Sequence, residues 1–213
     1  MISRASGILA GISLFAFVLF SSCGGMLGKG GADSVALKEA LEKALAEEGN
    51  VITVDSGGYK ITIPKHMTTS TELNDDASLQ YQNIYKELYI IVIDEPKTDF
   101  IKTFSDPEIN EYDDNLTPEK NYRIVQMKSM KEKMTLRAEP SIKKTTINGL
   151  DAEIVDFTGN VEGVESDIFY KIAFVEGTKN LYMIMTWTLD SDKNKNNEEM
   201  ESMINSFKLA TAK

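Results

Sequence analysis

Cys23 is the only cysteine in the chain and directly follows an apolar run, in the order Leu19, Phe20, Ser21, Ser22, Cys23, Gly24, Gly25. A lone thiol cannot close a disulfide within its own chain. With small serines before it and glycines after it, this one stands at the boundary of a candidate export signal. Nucleophilic catalysis would instead need a side chain activated by a nearby base, most often histidine. His66 is the only histidine, in Pro64-Lys65-His66-Met67 just past a predicted strand, and no G-x-S-x-G elbow occurs. It reads as a solvent-exposed or edge histidine, and one imidazole is too few for the usual catalytic zinc sets.

The remaining chemistry-bearing residues have plainer readings. Asp190-Ser191-Asp192-Lys193-Asn194 opens like a calcium-binding loop with Glu201 at the twelfth position, but Lys195 stands where the sharp turn wants glycine and Asn197 replaces the apolar eighth residue. We read it as a polar strand-to-helix connection whose asparagines cap the last helix. Met127, Met130 and Met134 could offer thioethers to Cu(I). Their spacing is also that of one helix face, and with Met183, Met185, Met200 and Met203 they are expected to fill the core. Glu153, Asp156, Glu162, Glu165 and Asp167 border the C-terminal strands, and a glycosidase would need two such groups at a set separation. Glu108, Glu111, Asp113 and Asp114 read as a solvated loop face. No metal-ligand set and no cofactor motif stands out.

Arg4 is the only charged residue before Cys23, and Gly7 to Phe20 is apolar, a positive n-region followed by an h-region. The run is shorter than the roughly 17–25 residues of a spanning helix. Residues 1–22 are therefore expected to be a signal peptide. Ser21-Ser22-Cys23 resembles the lipobox of bacterial lipoproteins, with Phe20 in place of the usual aliphatic residue. That resemblance implies diacylation of Cys23, and Gly24, which is not the Asp of inner-membrane retention in enterobacteria, implies an outer-membrane address. Residues 23–32 are glycine-rich, a tether whose nine residues after the cysteine span roughly 15–18 Å.

Removing residues 1–22 deletes one basic residue, so the formal charge moves from −10 to −11. An acidic body argues against nucleic acid as a partner, because that affinity rests on Lys and Arg neutralising phosphates. It also argues against lying flat on anionic lipid. Residues 33–213 are long enough for one domain with a real core and no disulfides.

Periodicity places the elements. Asp33 or Ser34 can cap a helix with Leu37, Leu41, Ala44 and Leu45 on one face and Gly49 as its stop. Val51 to Asp55 and Tyr59 to Ile63 form a hairpin closed by Pro64. Leu79 to Asn83 and Leu88 to Asp94 are strands, the second apolar on both faces and so central. Residues 95 to 117 read as a long exposed excursion with a short helix at Phe100 to Phe104. Thr117 caps a helix with Pro118 at its first position and Ile124, Met127, Met130 and Met134 as its stripe. Ser141 to Ile147, Leu150 to Thr158, Asp167 to Val175 and Leu181 to Leu189 form four antiparallel strands, with Asn148-Gly149 a type I′ turn. Leu181, Met183, Met185 and Trp187 share one face of the last strand and Tyr182 and Ile184 the other, which calls for a layer on each side. Met200, Met203, Ile204 and Phe207 supply one of those layers from a closing helix.

The strand Tyr59-Lys60-Ile61-Thr62-Ile63-Pro64, the Ile147-Asn148-Gly149 turn followed by Ala152, the long strands and the ending Ile204-Asn205-Ser206-Phe207 resemble the PsbP-like superfamily, which includes DcrB-type lipoproteins and Mog proteins. The resemblance, over residues 51 to 209, implies an α+β fold, an antiparallel β-sheet sandwiched between helices, and a role in binding or assembly. We therefore expect a lipid-anchored bacterial envelope protein with a non-catalytic domain and a protein or small-molecule partner in the envelope. The alternatives are an envelope hydrolase using paired carboxylates and a purely structural lipoprotein.

Overall fold

A computed structural model describes residues 49–210. The signal segment, Cys23, the tether and the helix expected before Gly49 lie outside the described residues.

Alternation of apolar and polar residues gives β1 (Gly49–Val54) and β2 (Tyr59–Pro64), an antiparallel hairpin with Val54 opposite Tyr59 and Gly49 opposite Pro64. Then come β3 (Thr68–Thr69), β4 (Leu79–Asn83) and β5 (Leu88–Pro96), followed by α1 (Lys97–Phe104) and α2 (Pro118–Lys133). The C-terminal half runs β6 (Met134–Leu136), β7 (Ser141–Ile147), β8 (Leu150–Val161), β9 (Ile168–Glu176), β10 (Asn180–Leu189), a 3₁₀ turn (Asp190–Asp192), α3 (Lys193–Asn205) and β11 (Lys208–Leu209). An eight-stranded sheet has the order β3-β4-β5-β10-β9-β8-β6, with β7 also paired to β8, and a three-stranded sheet has the order β1-β2-β11. All the pairings are antiparallel. The twelve-residue β8 serves two partners end to end, β7 along Leu150–Asp156 and β6 along Gly159–Val161.

The large sheet is apolar on both faces and carries a core on each. One core joins Ile91, Tyr170, Phe174, Met183 and Trp187 to Phe100 of α1 and Tyr122, Val125, Met127 and Met130 of α2. The other joins Ile90, Val92, Ala173, Tyr182 and Ile184 to Tyr59, Ile61 and Ile63 of β2 and to Met200, Met203, Ile204 and Phe207. The fold is thus an α+β sandwich, an antiparallel sheet between helices. The second layer holds more than the expected helix, because the small sheet lies beside α3 and shares its core.

Asn148 and Gly149 both have positive φ, 49° and 84°, as the type I′ turn requires. The Asn148 amide also donates to the carbonyls of Asn205 and Phe207, at 2.9 and 2.7 Å. Ser206 accepts from the Thr62 N–H at 2.8 Å and donates to the Met203 carbonyl at 2.7 Å. Polar residues of the turn and of the helix end therefore fix α3 to β2 and to the β7–β8 hairpin.

Several local expectations need correction. Thr117 sits at the N-cap of α2, yet its hydroxyl donates to Glu119 Oε1 at 2.6 Å and makes no cap bond. Ile124 is 40% exposed, and Tyr122 and Val125 take its place on the buried face. The short helix after β5 starts at Lys97, and the excursion is anchored: Phe100 is buried against Tyr122 with ring centroids 5.2 Å apart. Asn121 holds the following loop through bonds to the Asp113 N–H and carbonyl. The asparagines of the last helix do not cap it; Asn196 is buried and donates to Thr188 and to the Lys86 carbonyl.

Candidate functional site

The carboxylates flagged along the C-terminal strands meet cations of the same chain. Glu153, on β8, is buried and takes the Arg123 Nε of α2 at 2.5 Å. Asp156 and Lys171 are direct cross-strand neighbours of β8 and β9, and the nearly buried Lys171 ammonium lies 2.7 and 2.8 Å from the two carboxylate oxygens. Arg137 grips Asp167 from two nitrogens, the shortest contact 2.6 Å, and this holds the Asp167 carboxyl below its usual range. Glu162 and Glu165 are exposed on the β8–β9 turn.

Tertiary structure brings part of this set together. A shallow groove of about 480 Å³ is lined by Arg137, Ser141, Asp156, Phe169, Asp190 and Lys193, among others. It runs from Asp156–Thr158 within β8 past the start of β9 to the start of α3. Thr158 donates to Asp190 there at 2.8 Å, and the Lys193 ammonium stands 4.2 Å from the centroid of the Phe169 ring, a cation–π geometry. Among the described residues no carboxylate pairs with Lys193. The groove therefore offers an ammonium on an aromatic platform beside an ion-paired polar wall. Glu139 also lines the groove, so four carboxylates and two cations border it. Sequence alone had not singled out Phe169 and Lys193, because their pairing joins β9 to the first turn of a helix that follows β10.

The calcium-loop-like segment is a 3₁₀ turn running into a helix, so its side chains point around a cylinder instead of converging. Asp192 takes Lys195 at 2.6 Å and Asp190 takes Thr158. Met127, Met130, Met183 and Met185 lie in one core, Met200 and Met203 in the other. In the acidic loop Glu111 pairs with Lys128 at 2.6 Å and Asp113 bonds Asn115.

His66 is at the edge, its side chain 34% exposed, and it is built into a network. Nε2 bonds Glu199 Oε1 of α3 at 2.5 Å, Nδ1 accepts from the Asn83 amide at 2.9 Å, and Lys86 lies 3.3 Å from Glu199 Oε2. The Lys86 ammonium also lies 3.1 Å from Nε2, so the imidazole, Glu199 and Lys86 form one cluster. No nucleophile stands beside it; its work is to join the end of β2, the β4–β5 turn and α3.

One carboxyl escaped the sequence reading altogether. Glu95, at the end of β5, has its pKa raised to about 7, first by burial and then by Asp99 and Asp76. Burial, together with Glu95 and Asp94, also raises the Tyr122 hydroxyl well above its ordinary value. A carboxyl whose folded pKa exceeds its unfolded one binds its proton more tightly in the folded state. Its contribution is fully present below the unfolded value near 4.5 and is lost as the pH rises to about 7. Glu95→Gln is therefore expected to melt like the parent at about pH 4 and above it at about pH 8. Equal midpoints at both pH values would show that Glu95 ionises without cost.

No family model matches the chain, and no curated protein matches it. Solved structures do. The cyanobacterial PsbP protein of Synechocystis sp. PCC 6803 aligns at 11% identity and TM-score 0.48, over 86% of this chain and 98% of that one. A point mutant of the protein Mog1 aligns at 10% identity and TM-score 0.45, over 76% of this chain and 97% of that one. A protein of unknown function from Pseudomonas aeruginosa, PA94, aligns at 10% identity and TM-score 0.42, over 75% and 95%.

Proposed function

We propose that this chain is a lipid-anchored envelope protein, held through Cys23, whose folded domain works by binding or assembly and not by catalysis. The observation that carries the reading is the groove: Asp156, Asp167 and Asp190 are each engaged by a donor of the chain itself, while Lys193 is presented on Phe169. A glycosidase-type acid must hold a proton beside a second free carboxylate, and arginine pairing works against that for Asp167. The groove reads instead as a surface for a polar group of a partner protein or small molecule, with Lys193 as the cation it meets.

Two measurements test this. Cys23→Ala is expected to move the chain from the membrane fraction to the soluble fraction with its thermal midpoint unchanged. Retention on carbonate-washed membranes would sink anchoring through this cysteine. Pull-down of the full chain from intact envelopes is then compared between parent and Lys193→Glu. A bound component lost on charge reversal supports the groove, whereas identical capture removes it from consideration.

A further inference from the structure

The β4–β5 turn exposes Ile84 by 54% and Tyr85 by 95%, side by side at a hairpin tip. Exposed apolar residues scattered singly need no explanation, but this pair is held on a stiff support. Asn83 Oδ1 accepts from the N–H groups of Tyr85 and Lys86, each at 3.0 Å, and the Lys86 N–H also reaches the Asn83 carbonyl at 3.2 Å. The Lys86 carbonyl takes the buried Asn196 amide at 3.0 Å, and the Glu87 carboxylate takes the Tyr89 hydroxyl at 2.7 Å. Glu87 closes the turn at φ 49°, a conformation that non-glycine residues adopt uncommonly. Beneath the turn, the Asn83 amide bonds both Nδ1 and the carbonyl of His66. The tip is therefore a fixed projection.

Its place in the fold says what it faces. Gly49, where the described chain begins, pairs with Pro64, and two residues on His66 contacts Asn83 at the base of the tip. Gly49, 26 positions after Cys23, therefore stands at the same end of the domain that carries Ile84 and Tyr85. At the base of the tip Lys86 lies 3.3 Å from the Glu199 carboxylate, so the charges nearest the tip are paired. An aliphatic side chain beside a tyrosine, whose ring is apolar and whose hydroxyl stays wet, suits the headgroup boundary of a bilayer.

We propose that the Ile84–Tyr85 tip dips into the lipid interface and seats the domain edge-on against the membrane that the N-terminus is anchored to. The inference rests on the anchoring reading, and it adds an orientation: the groove at Phe169 and Lys193 belongs to a domain whose β4–β5 end is turned toward lipid.

The test uses the full lipidated chain with Tyr85→Trp, reconstituted in phosphatidylcholine vesicles with or without bromine near the top of the acyl chains. Trp187, buried in the core, is the internal reference. Blue-shifted, bromine-quenched emission from position 85, with Trp187 emission unchanged in the parent, is the expected result. If the chain floats with the vesicles but position 85 is neither shifted nor quenched, the tip faces away from lipid and this inference is overturned while anchoring stands. If the chain does not float with the vesicles, both are overturned.

Discussion

Phe207→Ala is expected to lower the unfolding free energy by about 3–5 kcal/mol, the usual cost of truncating a buried phenylalanine. Phe207 stands just past Ser206, the C-cap of α3, and is fully buried. Its ring centroid lies 5.2 Å from that of Tyr59 on β2 and 4.9 Å from that of Tyr182 on β10. One side chain thereby ties the closing helix, the small sheet and the large sheet. Little collapse is available to fill the space, because the Phe207 carbonyl is held by Asn148 and the preceding Ser206 by Thr62. The loss is a large part of the roughly 5–15 kcal/mol that a domain has to spare. Thermal and urea melts of the two chains check it, and a variant that melts like the parent would mean that the C-terminal segment is not a core layer.

Arg123→Ala is expected to cost a similar amount, about 3–5 kcal/mol, by a different mechanism. The guanidinium crosses from α2 to Glu153 on β8, and the Glu153 carboxylate is 6% exposed. Removing only the cation leaves a buried negative charge without its partner, which is far worse than removing both groups. The double variant Arg123→Ala/Glu153→Leu should therefore recover much of the loss. Urea unfolding of the parent, both single variants and the double variant measures this directly. Additive losses, with no recovery in the double variant, would show that the pair does not matter to α2 docking.

Tertiary packing is felt most where the sequence offers two equivalent choices. On α2, Ile124 and Val125 are both apolar neighbours, and helical spacing lets either lead the stripe with Met127 and Met130. Val125 is buried and Ile124 exposed because the helix is rotated to bring Tyr122 under Phe100 and Phe174, which no short-range pattern records. Thr117 is a good cap by type, but the buried Glu119 two residues on competes for its hydroxyl. The small sheet β1-β2-β11 escaped notice because β11 is two residues long and pairs with a strand far away in sequence.

The sequence by itself determined the elements whose periodicity is strong and local. The Asn148-Gly149 turn needs two positive φ values that few residue pairs supply, β10 divides its apolar residues cleanly between two faces, and Met200, Met203, Ile204 and Phe207 fall on one stripe. The antiparallel sheet with a layer on each face follows from those residues alone. Tertiary structure decided which charges meet. Arg123 with Glu153, Asp156 with Lys171, Arg137 with Asp167 and Lys193 over Phe169 all join residues at least 15 positions apart. A charge does not announce its partner, since Coulomb attraction depends on the distance the fold imposes and not on spacing along the chain. For the same reason Glu95 looked like any other acidic residue until the fold buried it near Asp99 and Asp76.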